Sequence, residues 1–142
     1  MKEIFVALVI AISDGDTLTV LHGEQQVKIR LAEIDAPERK QPFGTRSRQA
    51  LADLCFKVKA TVRPLQKDRY GRTVARVECK GQDAGVAQVA EGMAWVYRAY
   101  APAGSMLYAV EMDAKLGKKG LWADPAPVAP WEWRRNKRVR NV

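Results

Sequence analysis

Four carboxylates and two guanidiniums stand at spacings that suit phosphodiester chemistry. Asp14 and Asp16 flank a glycine in Ser13-Asp14-Gly15-Asp16-Thr17. Asp35 and Glu38 close the stretch Arg30-Leu31-Ala32-Glu33-Ile34-Asp35-Ala36-Pro37-Glu38, which Arg30 opens, and Arg72 ends Asp68-Arg69-Tyr70-Gly71-Arg72. Paired carboxylates can hold a divalent cation against a phosphate, and a fixed cation beside them offsets the charge that builds around phosphorus. Arginine suits that task because its planar donors match two oxyanion oxygens at once. Oxygen ligands without thiolate or imidazole favour calcium or magnesium over zinc. Cys55, Cys79 and the single histidine, His22, are too few and too scattered for a zinc site. Taken alone, Asp14-Gly15-Asp16-Thr17 reads first as a hairpin turn, since Asp and Gly are the commonest turn residues.

The elements that must position these groups can be read from the pattern. Residues 4–12 form a continuous apolar, β-rich run, expected to be a strand buried on both faces. At eight residues its apolar part is too short to span a bilayer, and no cleavage-like small-residue pair follows it. Strands are expected at 17–21 and 25–31, joined by His22-Gly23-Glu24. With three loop residues there, Leu21 pairs with Gln25 and the register carries Asp16 opposite Arg30; a slip of one residue would put them on opposite faces. A polar loop runs from 38 to 44, shaped by Pro37. A helix follows from about Thr45, burying Ala50, Leu51, Leu54 and Cys55 and exposing Arg46 and Arg48. Strands at 58–65 and 72–79 flank the Asp68-Arg69-Tyr70-Gly71 turn. Asp83 should cap a short helix ended by Gly92. Residues 93–100 read as extended and aromatic, and 105–116 as a third helix. Glu33 reads as a solvated strand residue without a role, and His22 as an exposed turn residue. Cys55 reads as a helix core residue and Cys79 as a strand-end residue; their spacing leaves a disulfide open.

Strand-strand-strand-helix-strand-strand followed by helices is the plan of an α+β fold built on a five-stranded OB-type Greek-key β-barrel with three α-helices. The expected division is a domain over 1–124 and a tail over 125–142. Pro125, Pro127 and Pro130 favour an extended tail, followed by Trp131-Glu132-Trp133 and a basic run.

The motif set Asp14-Gly15-Asp16-Thr17, Arg30-Leu31-x-x-Ile34-Asp35-x-Pro37-Glu38 and Asp68-x-Tyr70-Gly71-Arg72 resembles the staphylococcal nuclease (thermonuclease) family. The resemblance covers about residues 8 to 122 and keeps the family's order. It implies that Asp16, Asp35 and the backbone carbonyl of Ala36 ligate Ca2+, with Asp14 in the outer shell. It further implies that Glu38 positions or deprotonates the attacking water while Arg30 and Arg72 hold the phosphate. Tyr70 and Tyr100 would line the nucleotide pocket, and a further pocket tyrosine of the family is replaced by Arg98. Ala36 stands where family members often have threonine, and the loop over 38–44 is shorter than in the best-known member. The activity implied is calcium-dependent hydrolysis of DNA and RNA with little sequence preference, leaving 3′-phosphate ends. The resemblance also favours a secreted or periplasmic location; a monomer without a membrane partner is expected.

The net charge of +8 over 142 residues independently suggests a polyanionic partner. About half of it lies in the last twelve residues, where Arg134, Arg135, Lys137, Arg138 and Arg140 face only Glu132. Such a run beside Trp131 and Trp133 is either a solvated end or a sequence-independent contact to nucleic acid. Two rivals to a nuclease are a non-catalytic OB-fold nucleic-acid binder and a partition-type DNA-binding accessory protein. Asp16, Asp35, Glu38 and both arginines argue against the first.

Overall fold

A computed structural model describes residues 3–140. Five strands close on themselves. The first, β1 (Phe5–Asp14), pairs antiparallel with β2 (Thr17–His22), which pairs antiparallel with β3 (Gln25–Leu31). After β4 (Ile34–Asp35) and the helix α1 (Gly44–Cys55), β5 (Lys59–Lys67) returns to the first half of β1 and forms a hairpin with β6 (Thr73–Cys79). A parallel pairing of β6 with β3, Arg30 beside Val74, seals the barrel. Shifts of register in β1 at Val9/Ala11 and Ile12/Asp14 mark the bends that let one strand serve two neighbours. A third shift at Pro64/Gln66 lies where proline could not donate to a ladder.

The remaining elements pack over one side of the barrel. These are the short strand β7 (Gln82–Asp83), α2 (Ala84–Ala90), β8 (Trp95–Val96) paired with β4, α3 (Leu107–Leu116), a 3-10 turn (Gly120–Ala123) and α4 (Pro130–Arg140). Asp83 accepts a hydrogen bond from the Val86 amide at 3.0 Å and so caps α2 as expected. The core is filled by Val9, Leu18, Val20, Ile29, Val62 and Val77 from the barrel, with Leu51 and Cys55 from α1. Cys55 and Cys79 form a disulfide that ties the end of α1 to the end of β6.

Several expectations change. β1 is buried on one face only: Ala7, Val9 and Ile12 point inward while Val6 and Leu8 are exposed, because a closed barrel has an inner and an outer face. The β2–β3 turn has two residues, Gly23 and Glu24, so His22 pairs with Gln25 and Thr17 with Arg30. Gly23 supplies the positive φ (64°) that such a tight turn requires at its first position. Glu33 lies in a left-handed turn (φ 66°), where it ion-pairs with Arg76 and accepts from Ser105 at 2.8 Å. Among the described residues there are four α-helices where three were expected. The fourth begins at Pro130, where a proline is favourable because the first turn of a helix needs no amide there. Residues 130–140 are therefore helical rather than extended. Of the expected basic tail, residues 141–142 and the side chain of Arg140 lie outside the described residues.

Candidate active site

The β1–β2 connection is built for close approach. Gly15 and Asp16 link Asp14 to its partner Thr17, and a Cβ on Gly15 would lie 1.8 Å from Ser47 Oγ of α1. The Gly15 carbonyl accepts from Gln88 Nε2 at 2.8 Å, and the same nitrogen donates to the Ser47 carbonyl at 2.9 Å. α1 and α2 thus hold the loop from two sides. Asp16, buried, accepts from the Ala36 amide (2.8 Å) and the Thr17 hydroxyl (2.8 Å), which aims its carboxylate at the segment after β4.

Arg30 extends across that segment. It donates to the Leu31 and Ile34 carbonyls at 2.9 and 2.8 Å, so its guanidinium is fixed by backbone. Its Nη2 lies 3.2 Å from Asp35 Oδ1 and 3.5 Å from Asp16 Oδ2. The expected pairing of Asp16 with Arg30 across the hairpin is replaced by a backbone bond from the Leu31 amide to the Asp16 carbonyl, 2.8 Å. The two charges still meet because Asp16 lies beyond the end of the β2 ladder, where its side chain is free of the strand's alternation. Asp35 is 1% exposed. Burial, then repulsion from Asp16, outweigh the hydrogen bond from Arg134 and the attraction of both guanidiniums, lifting its carboxyl to about 6. Burial and the charge of Asp16 also raise Asp14, against the pull of Arg39.

A third guanidinium comes from α4. Arg134 Nη2 donates to Asp35 Oδ2 at 2.7 Å, while its Nη1 lies 3.3 Å from Asp35 Oδ1 and 3.4 Å from Glu38 Oε2. Though partial burial works the other way, the bond to Asp35 holds Arg134 more firmly protonated than a free arginine. Packing sets its helix: Trp131 stacks on Tyr97 (5.5 Å between centroids, 2° between planes) and meets the edge of Trp95. Contacts of this kind contribute about 0.5–1.5 kcal/mol each beyond area burial. Ala129 and Pro130 are buried, and Gln41 donates to the Val128 carbonyl at 2.6 Å.

The other predicted residues fall into two groups. Arg72 ion-pairs with Asp68 at 2.7 Å, and Tyr70 lies beneath the Arg72 guanidinium, 5.5 Å from its ring centre. Burial, the largest single influence, raises Asp68, but the hydrogen bonds from Arg72 and Tyr70 and the charge of Arg72 together prevail and hold its carboxyl below the usual range. This hairpin adjoins the site through Thr73, which pairs with Ile29 next to Arg30. Tyr100 is largely exposed and meets Tyr97 edge-on at 4.9 Å. Arg98 turns away: it donates to the Val96 carbonyl and to Glu111 Oε1 at 2.6 Å. The tyrosine that faces the carboxylates is Tyr97, with the Arg30 guanidinium 5.9 Å from its ring centre and Arg134 3.5 Å from its hydroxyl.

Comparison with known proteins agrees with this constellation. A family model described as Staphylococcal nuclease homologue matches residues 28–124. The chain belongs to the staphylococcal nuclease family. It is 44% identical over 137 residues to a Micrococcal nuclease of Shigella flexneri, covering 89% of this chain and 79% of that one. It is 44% identical over 132 residues to an uncharacterized endonuclease of Haemophilus influenzae, covering 92% and 74%. A Protein ParB of Escherichia coli is 41% identical over 142 residues, covering 93% and 80%. The chain is accordingly a nuclease of this family, and its substrates are nucleic acids.

For a staphylococcal nuclease homologue the donor set suits a hard divalent cation. No group of three or more His, Cys, Asp or Glu side chains gathers into a metal cage among the described residues. Two buried carboxylates nevertheless converge within 3.5 Å of one Arg30 nitrogen, and all the available donors are oxygens. Two carboxylates, a carbonyl and waters are a sufficient set for calcium, which accepts flexible geometry.

Two residues of the site escaped the sequence reading. Alternation along Trp95-Val96-Tyr97-Arg98 was the available signal for Tyr97, because Val96 is fully buried and Tyr97 takes the other face. Pro130 followed by Glu132 was the signal for a helix start that carries Arg134.

Proposed function

We propose that this nuclease is a calcium-dependent phosphodiesterase that hydrolyses DNA and RNA with low sequence specificity. One observation carries the reading: buried Asp16 and Asp35 meet at Arg30, with Glu38 at the solvent side of the same cluster. Asp16, Asp35 and the Ala36 carbonyl would hold Ca2+, with Asp14 acting through water. Bound there, the ion would supply positive charge to a phosphate oxygen and reduce the repulsion met by an incoming water.

Glu38 is suited to take a proton from that water or to orient it, since about a third of its side chain is open to solvent. A positioned base contributes about 10²–10⁴-fold. Arg30, already fixed by two carbonyls, can exchange its carboxylate partners for phosphate oxygens without reorganising. Arg72 would bring a second guanidinium from the neighbouring hairpin, and Tyr70 and Tyr100, both largely exposed, offer ring faces for bases. Attack in line with the 5′ oxygen leaves a 3′-phosphate. Contacts of this kind engage backbone and ring faces and do not read sequence. The Cys55–Cys79 bridge favours an oxidising location, secreted or periplasmic.

The test is incubation of single-stranded DNA and of RNA with calcium, with chelator, and with a Glu38→Gln variant, followed by end analysis. Cleavage that needs calcium, falls at least about 100-fold in Glu38→Gln and leaves 3′-phosphates is expected. Undiminished cleavage in chelator would remove the metal from the mechanism. Binding without cleavage under any divalent cation would leave a nucleic-acid binder.

A further inference from the structure

We infer that Arg134, carried by the C-terminal helix, is a further substrate-binding residue of this nuclease, donating to the phosphate that Arg30 also holds. The inference rests on the phosphodiesterase reading above and adds a group that the sequence motifs do not contain. Arg134 places its fork on Asp35 (2.7 and 3.3 Å) and reaches Glu38 at 3.4 Å. It therefore shares Asp35 with Arg30 and adds Glu38 where Arg30 adds Asp16, with about a third of its side chain accessible. A guanidinium presents the same parallel donors to a carboxylate or a phosphate, so one partner can replace the other.

The position does not depend on the ion pair alone. Trp131, one turn earlier in α4, is stacked on Tyr97 and set against Trp95, and Pro130 at the helix start is buried. A divalent cation binding to Asp16 and Asp35 would satisfy Asp35 and repel the Arg134 guanidinium. The packed helix would still keep that guanidinium within reach of the site, where the remaining anion is the substrate phosphate. Further along α4, Arg135, Lys137 and Arg138 are exposed and extend the positive surface away from the carboxylates.

The experiment compares wild type with Arg134→Gln, Arg134→Lys and Trp131→Ala, in calcium. Two quantities are read: steady-state cleavage of single-stranded DNA, and binding of thymidine 5′-monophosphate, which has a phosphate and a base but no diester to cut. Arg134→Gln should weaken mononucleotide binding and lower kcat/KM by about 10- to 100-fold, as loss of charge-assisted phosphate bonds does. Arg134→Lys should recover part of the loss, because it keeps the charge and not the fork. Trp131→Ala, which keeps Arg134 but unseats its helix, should lose in the same direction, with circular dichroism confirming that the barrel stays folded. Mononucleotide binding and cleavage unchanged in Arg134→Gln would overturn the inference. So would an increase in either, which would make the contact an inhibitory latch. Failure of the wild type itself to cleave in calcium would instead refute the proposed function.

Discussion

Replacing Gly15 with alanine tests whether the aspartate loop is held by close packing. Gly15 has no left-handed φ, so its glycine is required by space and not by backbone conformation. The added Cβ would fall 1.8 Å from Ser47 Oγ, 2.8 Å from Ser47 Cβ and 3.0 Å from Ala36 Cβ. Rotation of the hydroxyl offers little relief, because Ser47 is fully buried and its Oγ is bound to the Met93 carbonyl at 2.6 Å. The Cβ contact is fixed by α1 itself, and restoring ordinary carbon separation requires the loop to retreat by roughly 0.7–1 Å. Overpacking of this kind costs about 1–3 kcal/mol, or roughly 4–12 °C in melting temperature for a domain of this size. The retreat also carries Asp16 away from Asp35 and stretches the Gln88 bridge. Calcium affinity should then fall about tenfold or more, as it does when groups that orient metal ligands are disturbed. Calorimetry gives the first quantity and calcium titration the second. Adding Ser47→Gly should restore part of both, a coupling of about 1 kcal/mol or more between contacting sites. A Gly15→Ala protein with wild-type melting temperature and calcium affinity would refute the reasoning.

Three further outcomes follow from the same contacts. In chelator, Asp35 favours its protonated form in the folded protein, so its contribution to stability is complete below about pH 4 and is lost as pH rises through about 6. The loss is on the order of 3 kcal/mol. Urea unfolding across that range should show a steeper decline for wild type than for Asp35→Asn, and equal slopes would contradict it. Reducing the Cys55–Cys79 bridge, which spans a sequence separation of 24, should cost about 3–4 kcal/mol by the loop-entropy relation; an unchanged urea midpoint after verified reduction would show that the bridge adds no stability. Buried Glu111 accepts from the Val96 amide at 2.7 Å and from Arg98. Glu111→Ala should therefore destabilise by about 1–3 kcal/mol and raise KM by loosening the segment that presents Tyr97. A variant with wild-type stability and KM would remove Glu111 from that role.

The barrel was legible because its determinants are local. Alternating Val27, Ile29 and Leu31, the Gly23 turn and the Asp83 cap each express a short-range preference that the tertiary structure keeps. The carboxylates and Arg30 were legible as a motif, yet their geometry was not. The expected register across the hairpin was off by one residue, and the contact survives because Asp16 lies outside the ladder. Residues brought in from afar were the hardest to read. Arg98 and Tyr97 are neighbours in sequence, and only the burial of Val96 beside Glu111 decides which of them faces the site. Arg134 depends on a helix in a stretch where three prolines favour an extended chain, although Pro130 occupies the one helical position that suits it.

The position of Arg134 along the chain also sets an order of synthesis. Asp16, Asp35, Glu38 and Arg72 leave the ribosome well before α4, and the strands of the barrel pair with one another and not with that helix. During that interval Asp35 has only Arg30 as its counter-charge, and Tyr97 lacks the Trp131 ring that covers it. If Arg134 contributes as inferred, a chain on which α4 has not yet docked is a nuclease with an incomplete grip on phosphate. Activity would then rise when α4 docks.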